Sequence, residues 1–577
     1  MPNPQHLLHL WTRRRVSARR PVDIPNTVPT TEAIFLIMRR MRMPLIVVIT
    51  TFSFCTAGMM LMPGLDADGN PYRLNIFDAF YQMTITLTTV GFTEAPYPFS
   101  YPQRMWMTLS IFLLVISWAY AIGVFFALIQ GDAFQTAVAT QQFRRQVRRL
   151  VEPFIIVAGY GDTGRIVGTE LDEHYRRFVL IDKREDRVES VISHQLSFDV
   201  PALHGDCTSP AVLGMAGLGH RECEGVLALT NDDDTNLAVV MAASLLRPDL
   251  PVLGRCTQQR TRDRMEHFAP TSAINADDRF GEYLALSIHQ PVSYQLLRWL
   301  MDNDQEQLLP ARQDLAARRW VVCAEGEFDD AIVADLEGAG VTVELADPAV
   351  GDPDVSGSVA FVAGTGNDTL NIAMAEHARK ANPDAYLVLR QQTNAKKALL
   401  ETLQIDSVYI ATEVVAREVL ARVLTPVFWT FVEHVLTADE QWAVGVRDHL
   451  VLRCGQRTPE REVITLSAEH APAIAGWLRR GNTLTLGTLM RRPDDRDATL
   501  PLAALVLVRD GTPQFMPAED TPLAVDDQVL LVGKPSGLSQ VREICHYPAT
   551  VEHLATGRDV PLTWVWAKLT ARRRGGT

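Results

Sequence analysis

Two uncharged apolar runs dominate the first quarter of the chain. Residues 44–62 (PLIVVITTFSFCTAGMMLM) and 105–131 carry no Asp, Glu, Lys or Arg. Each is long enough to cross a hydrocarbon core of about 30 Å at about 1.5 Å per helical residue. The second exceeds that thickness, which predicts a tilt or an extension into the cytosol. Between them Asn75 to Leu87 (NIFDAFYQMTITL) is mostly apolar but too short to span, and it leads into Thr88-Thr89-Val90-Gly91-Phe92-Thr93-Glu94. Ahead of the first run, residues 31–42 (TEAIFLIMRRMR) suggest a helix with apolar and basic faces, suited to the inner membrane surface or to a cytosolic extension of the span. From residue 151 the texture changes to short apolar strands, glycine turns and amphipathic helices in alternation, the pattern of a doubly wound α/β fold.

Composition and charge sharpen this. The 577 residues are too many for one core and suggest three to four units. Net charge is −13, yet the first 42 residues are basic, and Arg144, Arg145, Arg148 and Arg149 follow the second span. The loop between the first span and residue 75 has Arg73 alone, so the positive-inside rule places both termini in the cytoplasm; the basic arm is read as setting orientation, with no nucleic acid partner. Seven scattered cysteines without CxxC or Cys/His pairing read as reduced thiols and no zinc site. Asp66, Asp68 and Asn70 look like the opening of a calcium loop, but Pro71 and Phe77 occupy its glycine and glutamate positions, which leaves a solvated turret.

The segment TTVGFTE between two spans resembles the pore loop of a potassium channel. In that family a short helix enters from outside and the chain returns as an extended filter whose carbonyls replace the hydration shell of K+. The resemblance assigns the filter to Thr89, Val90, Gly91, Phe92 and Thr93, with Glu94 as the acid behind it. Thr93 stands where the family has a second glycine, which weakens the expectation of strict K+ selectivity and keeps a nonselective cation channel as the alternative. Ile85 occupies the position where some channels carry a carboxyl partner for that acid. Gly123 in the second span is a candidate gating hinge, with close helix packing an equal explanation. One pore loop supplies a quarter of a four-fold filter, so the resemblance implies a homotetramer in a lipid bilayer.

FIIVAGYGDTGRIVGTEL (residues 154–171) reads as strand, glycine turn and helix, with Gly159-x-Gly161-x-x-Gly164, and FVLID ends a second strand in Asp182. That is the dinucleotide fingerprint in context: glycines admit a pyrophosphate to a helix N-terminus, and the acid binds a ribose hydroxyl. HGDCT (204–208), GVLALTNDDDTN (225–236) and PVLGRC ending near Arg255 continue the pattern. Together they resemble the RCK, or potassium-transport nucleotide-binding, domain. The resemblance implies contacts to NAD(H) or an adenine nucleotide such as ADP or ATP from Gly159, Tyr160, Gly161, Asp162, Thr163, Gly164, Asp182, Lys183, Asp206, Cys207, Thr230, Asn231 and Arg255. Asp232, Asp233 and Asp234 could bind Ca2+; a helix cap and first turn is the favoured reading.

An internal repeat follows. Asn236 and Asn371, Arg255 and Arg390, and Pro291 and Pro426 each lie 135 positions apart, whereas Gly161 and Gly326, and Asp182 and Asp347, lie 165 apart. The second copy has therefore lost about thirty residues, including any counterpart of His204 to Thr208, and its glycine motif has decayed to Ala324-x-Gly326-x-x-Asp329. An aspartate where a phosphate approaches repels it.

The expected fold class is an α-helical membrane pore domain with outer helix, pore helix, filter and inner helix, followed by tandem Rossmann-like RCK domains and a small α+β C-terminal lobe. The expected boundaries are a basic arm and interfacial helix at 1–43, pore domain 44–131, linker 132–150, first RCK domain 151–315, degenerate second 316–440, C-terminal lobe 441–545 and tail 546–577. The expected function is a ligand-gated K+ channel of a prokaryotic inner membrane, multi-pass, gated by nucleotide. The enzyme alternative, a membrane-tethered NAD-dependent oxidoreductase, lacks a convincing catalytic constellation.

Overall fold

The computed structural model describes Ile24 and residues 33–91, 97–193, 196–269, 273–301, 307–316, 319–351, 353–392 and 397–558. The chain forms two compact units, one of residues 25–150 with 214–216 and the other of residues 151–213 with 217 onward.

In the first unit, α1 (Ala33–Leu61) is a single helix with Pro44 inside it. Of the two readings of residues 31–42, the helix is continuous with the first span, as the extension reading has it; a proline removes one backbone bond from the ladder, and this long helix runs on through the gap. A two-residue hairpin follows, β1 (Gly64–Leu65) against β2 (Pro71–Tyr72). Asp66 closes it by accepting the amides of Asp68 and Asn70 at 2.9 and 2.8 Å, so the acidic loop is an Asx turn. Asn75 caps α2 (Ile76–Leu87), accepting the Asp78 amide at 2.8 Å. A capping box of Ser100 and Gln103 starts α3 (Tyr101–Ile129), and after Gly131 the expected linker is itself a helix, α4 (Asp132–Arg148).

Helices α1 and α3 meet at Gly58, where a Cβ would lie 1.9 Å from the Trp106 ring, and the Trp106 indole donates to the Cys55 carbonyl at 3.0 Å. Both are long and apolar enough to cross a bilayer. Phe112 and Ile116 on α3 remain 64% and 66% exposed, an apolar surface that packing within this chain leaves uncovered.

The second unit opens with a six-stranded parallel sheet: β3 (Phe154–Ala158), β4 (Arg177–Asp182), β5 (Ala202–His204), β6 (Cys223–Ala228), β7 (Val252–Cys256) and β8 (Ala273–Asn275). Their spatial order is β5-β4-β3-β6-β7-β8, and every pairing is parallel. This is the doubly wound dinucleotide order, with its reversal between β3 and β6. The intervening helices are α5 (Asp162–Glu173), α6 (Glu185–Ser193), α7 (Pro210–Met215), α8 (Asp233–Leu246) and α9 (Gln259–Phe268); α10 (Ala276–His289) and α11 (Pro291–Met301) follow.

A second parallel sheet comprises β9 (Trp320–Ala324), β10 (Val343–Leu345), β11 (Ala360–Gly364), β12 (Tyr386–Gln391) and β13 (Ser407–Ile410), with α12 (Glu327–Gly338), α13 (Asp368–Ala381), α14 (Lys397–Thr402), α15 (Ala411–Leu424) and α16 (Pro426–Thr437). Its order, β10-β9-β11-β12-β13, is the first sheet without the strand equivalent to β5. The deletion inferred from the change of repeat spacing is therefore a missing edge strand with its flanking segments.

The two lobes share one core. It includes Ile155 and Phe178 of the first, Trp320 and Val415 of the second, and Phe280 and Leu284 of α10. Helix α10 lies on α12, and α15 lies on α5. Repeat-equivalent helices thus pack reciprocally, as in an isologous dimer folded into one chain. Arg279 of α10 and Arg422 flank the buried Glu418 of α15, the Arg279 Nε lying 2.9 Å from it. The C-terminal part starts with α17 (Glu440–Cys454) and holds an antiparallel sheet of β14 (Glu460–Thr465), β15 (Leu502–Arg509), β16 (Thr512–Phe515) and β17 (Gln528–Gly533) in the order β14-β17-β15-β16.

Candidate functional site

Ligands in open α/β sheets bind outside the carboxyl ends of the strands where the strand order reverses. Here that place is the turn after β3 beside the turn after β6. Gly159 has φ +101, and a Cβ on it would lie 2.8 Å from the Thr230 backbone nitrogen. A Cβ on Gly164 would lie 2.1 Å from the Gly159 carbonyl oxygen. Both glycines are required by the fold alone. Gly161 is different: it caps α5 at φ −74, and a Cβ there would meet nothing nearer than Arg187 Nη1 at 3.6 Å and Asn231 Oδ1 at 3.8 Å. Local packing would therefore admit a side chain at this helix N-terminus, where backbone N–H groups favour an anion.

The surrounding side chains are held by one another. Asp182, 5% exposed, accepts the amides of Tyr160 at 2.6 Å and Arg184 at 2.8 Å, and Arg187 Nη1 stands 3.5 Å from it. Arg255 Nη1 donates to Asn231 Oδ1 at 2.8 Å and to Thr163 Oγ1 at 3.4 Å. Two guanidinium groups thus bracket the open N-terminus. Asn236 anchors the β6 side: its Oδ1 accepts the Thr230 amide and hydroxyl at 2.9 and 2.8 Å, and its Nδ2 donates to the carbonyls of Thr230 and Arg255 at 2.9 Å each.

The residues expected at the site divide accordingly. Gly161, Asp182, Asn231 and Arg255 converge on the turn. Thr163 is buried and holds Arg255, while Tyr160 packs its ring against Gly168 in the core and offers only its backbone. Asp162 is exposed and pairs with Arg165 at 3.6 Å. On the neighbouring rim Asp206 accepts the Thr208 amide and hydroxyl, Lys183 is exposed, and Cys207 is buried, its thiol pushed up to about 11 by burial and by Asp206. Asp232 caps α8 and accepts the Thr235 amide at 3.0 Å, while Asp233 accepts the amides of Thr257 and Gln258. The acidic run is therefore a helix cap. The Thr235 hydroxyl holds the Asp232 carboxyl below its usual range. Sequence reasoning missed Arg187: it lies five residues beyond Asp182 on a helix whose rotation no motif specifies.

The second lobe repeats the frame and closes the cleft. Asn371 makes to Thr365 and Arg390 the bonds that Asn236 makes to Thr230 and Arg255. Phe328, repeat-equivalent to Thr163, is buried, and a Cβ on Gly364 would lie 2.5 Å from its ring. Arg390 lies 4.6 Å over that ring. The Asp329 carboxyl, where Gly164 would stand, is raised by burial and by Asp330.

In the first unit, α2 ends at Leu87 with Thr88 as its cap, and the next residues turn back on the helix. The amides of Val90 and Gly91 lie 3.0 and 3.4 Å from the Ile85 carbonyl, with φ +58 at Thr89 and +66 at Gly91. Over Thr89 to Gly91 the chain forms a tight turn, in which the free carbonyls at the helix end capture the following amides. Phe92, Thr93 and Glu94 lie outside the described residues. Ile85 is buried, and Gly123 sits in an unbroken helix with open space where its Cβ would point, so packing within this chain does not require the glycine.

Residues 155–276 and 352–411 match the TrkA-N domain, one segment in each parallel lobe. Two segments of the chain thus match the TrkA-N, or RCK, domain, and two helices long and apolar enough to cross a bilayer precede them. The chain resembles two-helix prokaryotic potassium channels with tandem RCK domains. Among similar curated proteins, potassium channel protein 1 of Methanocaldococcus jannaschii is 22% identical over 261 residues, covering 45% of this chain and 74% of that one. Probable potassium channel protein 2 of the same organism is 23% identical over 189 residues, covering 32% and 53%. An uncharacterized protein of Methanothermus fervidus is 24% identical over 220 residues, covering 38% of this chain and 34% of that one. The chain spans about a third of that protein's length. Among solved structures, the GsuK channel bound to NAD aligns with 89% of this chain and 100% of its own, at a TM-score of 0.39 and 13% identity.

Proposed function

We propose that the chain is a subunit of a homotetrameric, nucleotide-gated K+ channel of a prokaryotic cytoplasmic membrane. The observation that carries the nucleotide part is Gly161: a helix N-terminus flanked by two arginines, kept clear of a side chain that the fold itself would admit. A dinucleotide or adenine nucleotide would place its phosphates there. Arg187 and Arg255 would supply charge, and Asp182 would accept a ribose hydroxyl after exchanging a bond it makes to the protein. The second lobe, plugged by Phe328, would serve as a rigid partner.

The conduction part rests on a short capped helix and a glycine turn set between two apolar helices. Four copies would line the path with carbonyls from Thr89 to Thr93. Both termini would be cytoplasmic, and α4 would carry changes in the nucleotide lobes to α3. A ligand biases such a gate only by its difference in affinity for the open and closed states. Thr93 favours a second reading in which Na+ also passes. Purified protein in liposomes with opposed K+ and Na+ gradients tests both. The first reading predicts K+ flux that changes with NAD+, NADH, ADP or ATP; equal Na+ flux selects the second, and no flux with Gly91 intact rejects both.

A further inference from the structure

Away from the glycine turn, a cavity of about 270 Å³ lies where the three soluble parts meet. One wall is α11, the crossover helix of the first lobe. Another is the start of β12 with the loop before β13 in the second lobe, and Thr458 of the C-terminal part completes it. It shares no residue with the nucleotide cleft. Its volume is just below the roughly 300–1,000 Å³ of ordinary small-molecule pockets, so any occupant is small.

The lining chemistry is selective. Tyr294, Trp299 and Tyr386 give three aromatic surfaces, and Trp299 and Tyr386 are each only 4% exposed. The Trp299 indole N–H is buried and has no hydrogen-bond partner. An unsatisfied buried donor costs about 1–3 kcal/mol, which a ligand acceptor would recover. The charges are also unequal. Arg312 is matched by Asp314 at 2.8 Å, and Asp406 is matched by Arg379 at 3.1 Å and by the Leu387 amide. Arg298 donates at 2.9 Å to a neutral carbonyl, that of Asp406, and no described carboxylate lies within ion-pair distance of it. Among the described residues the cavity therefore has flat apolar walls, two buried polar groups without a partner, the Trp299 indole N–H and the Tyr386 hydroxyl, and one guanidinium, that of Arg298, without a carboxylate beside it.

We propose that this cavity binds a planar aromatic monoanion, a ring bearing one carboxylate, in the size range from benzoate to an indole carboxylate. The ring lies among Tyr294, Trp299 and Tyr386, and the carboxylate accepts from Arg298 and the Trp299 indole. Such a ligand would tie the crossover helix to the second lobe and the C-terminal part, and so act on the ring independently of nucleotide.

The test uses full-length protein in detergent with anthranilate, followed by its own fluorescence, beside the uncharged anthranilamide. Charge-assisted hydrogen bonds contribute about 1.5–3 kcal/mol, and tenfold in affinity is about 1.4 kcal/mol. Anthranilate is expected to saturate one site per chain, and the amide to bind at least tenfold more weakly. Arg298→Gln, an exposed position, is expected to weaken anthranilate at least tenfold without shifting the ligand-free Tm; Trp299→Phe keeps an aromatic ring and weakens it severalfold by removing the donor. Failure to saturate, equal binding of the amide, or an unchanged affinity in Arg298→Gln overturns the proposal.

Discussion

At the scale of single residues, three glycines in one turn serve different ends. Gly164→Ala would drive a methyl into the Gly159 carbonyl and unfold the first lobe, whereas Gly161→Ala meets only ordinary contacts. The expected result for Gly161→Ala is a stability loss of no more than about 1 kcal/mol, the usual range for a cap position. Nucleotide binding, followed by calorimetry, should fall at least tenfold; retained affinity would show that phosphates do not approach this residue. Asn236 and Asn371 make the same four bonds in the two lobes. Replacing either by Ala leaves buried polar groups unpaired, so each variant should lose about 2–4 kcal/mol in denaturant unfolding. Only Asn236→Ala should also weaken nucleotide.

At the scale of elements, the contact of α10 with α12 is close because Gly281 has no side chain: a Cβ there would lie 1.7 Å from the Asp335 carboxylate. Burial, together with Asp278 and Glu282, pushes the Asp335 carboxyl up to about 6. A carboxyl raised above its unfolded value of about 3.9 contributes stability at low pH that is lost as pH rises through about 6. Asp335→Asn should therefore raise Tm at pH 7 relative to wild type, with the difference vanishing near pH 4; a destabilised variant at pH 7 would contradict the placement. In the membrane unit Gly58→Leu should displace Trp106 and separate α1 from α3, read as loss of folded protein in detergent.

Much of this was legible in the chain. The glycine fingerprint with Asp182 and the two repeat spacings pointed to both parallel sheets and to the loss of about thirty residues, because strand periodicity and turn chemistry are local; that the loss removes an edge strand came from the structure. Pro44 alone did not decide between an interfacial helix and an extension of the span over residues 31–42, since a helix tolerates one missing bond where its neighbours hold. The partners of Asp182 and Arg255, Phe328 as a plug, and the turn at Thr89 were not legible, because they depend on side-chain rotation and on packing between segments far apart in sequence.

At the scale of the whole molecule, one lobe with an open cleft is fused to one whose cleft is filled by Phe328 and capped by Arg390. Their shared core makes a shape change in the first lobe a change in the pair. A nucleotide would thus act as a wedge on one side of a pseudo-symmetric dimer, and one nucleotide per chain is the expected stoichiometry. The most direct test of this account is single-channel recording of the reconstituted protein in symmetrical K+, with NADH, NAD+, ADP and ATP perfused in turn on the cytoplasmic side of wild type and Gly161→Ala. The account predicts that at least one nucleotide changes the wild-type open probability and that Gly161→Ala conducts with the same unitary current but without that response. A nucleotide response that survives in Gly161→Ala, or a wild type with no K+ current, would contradict it.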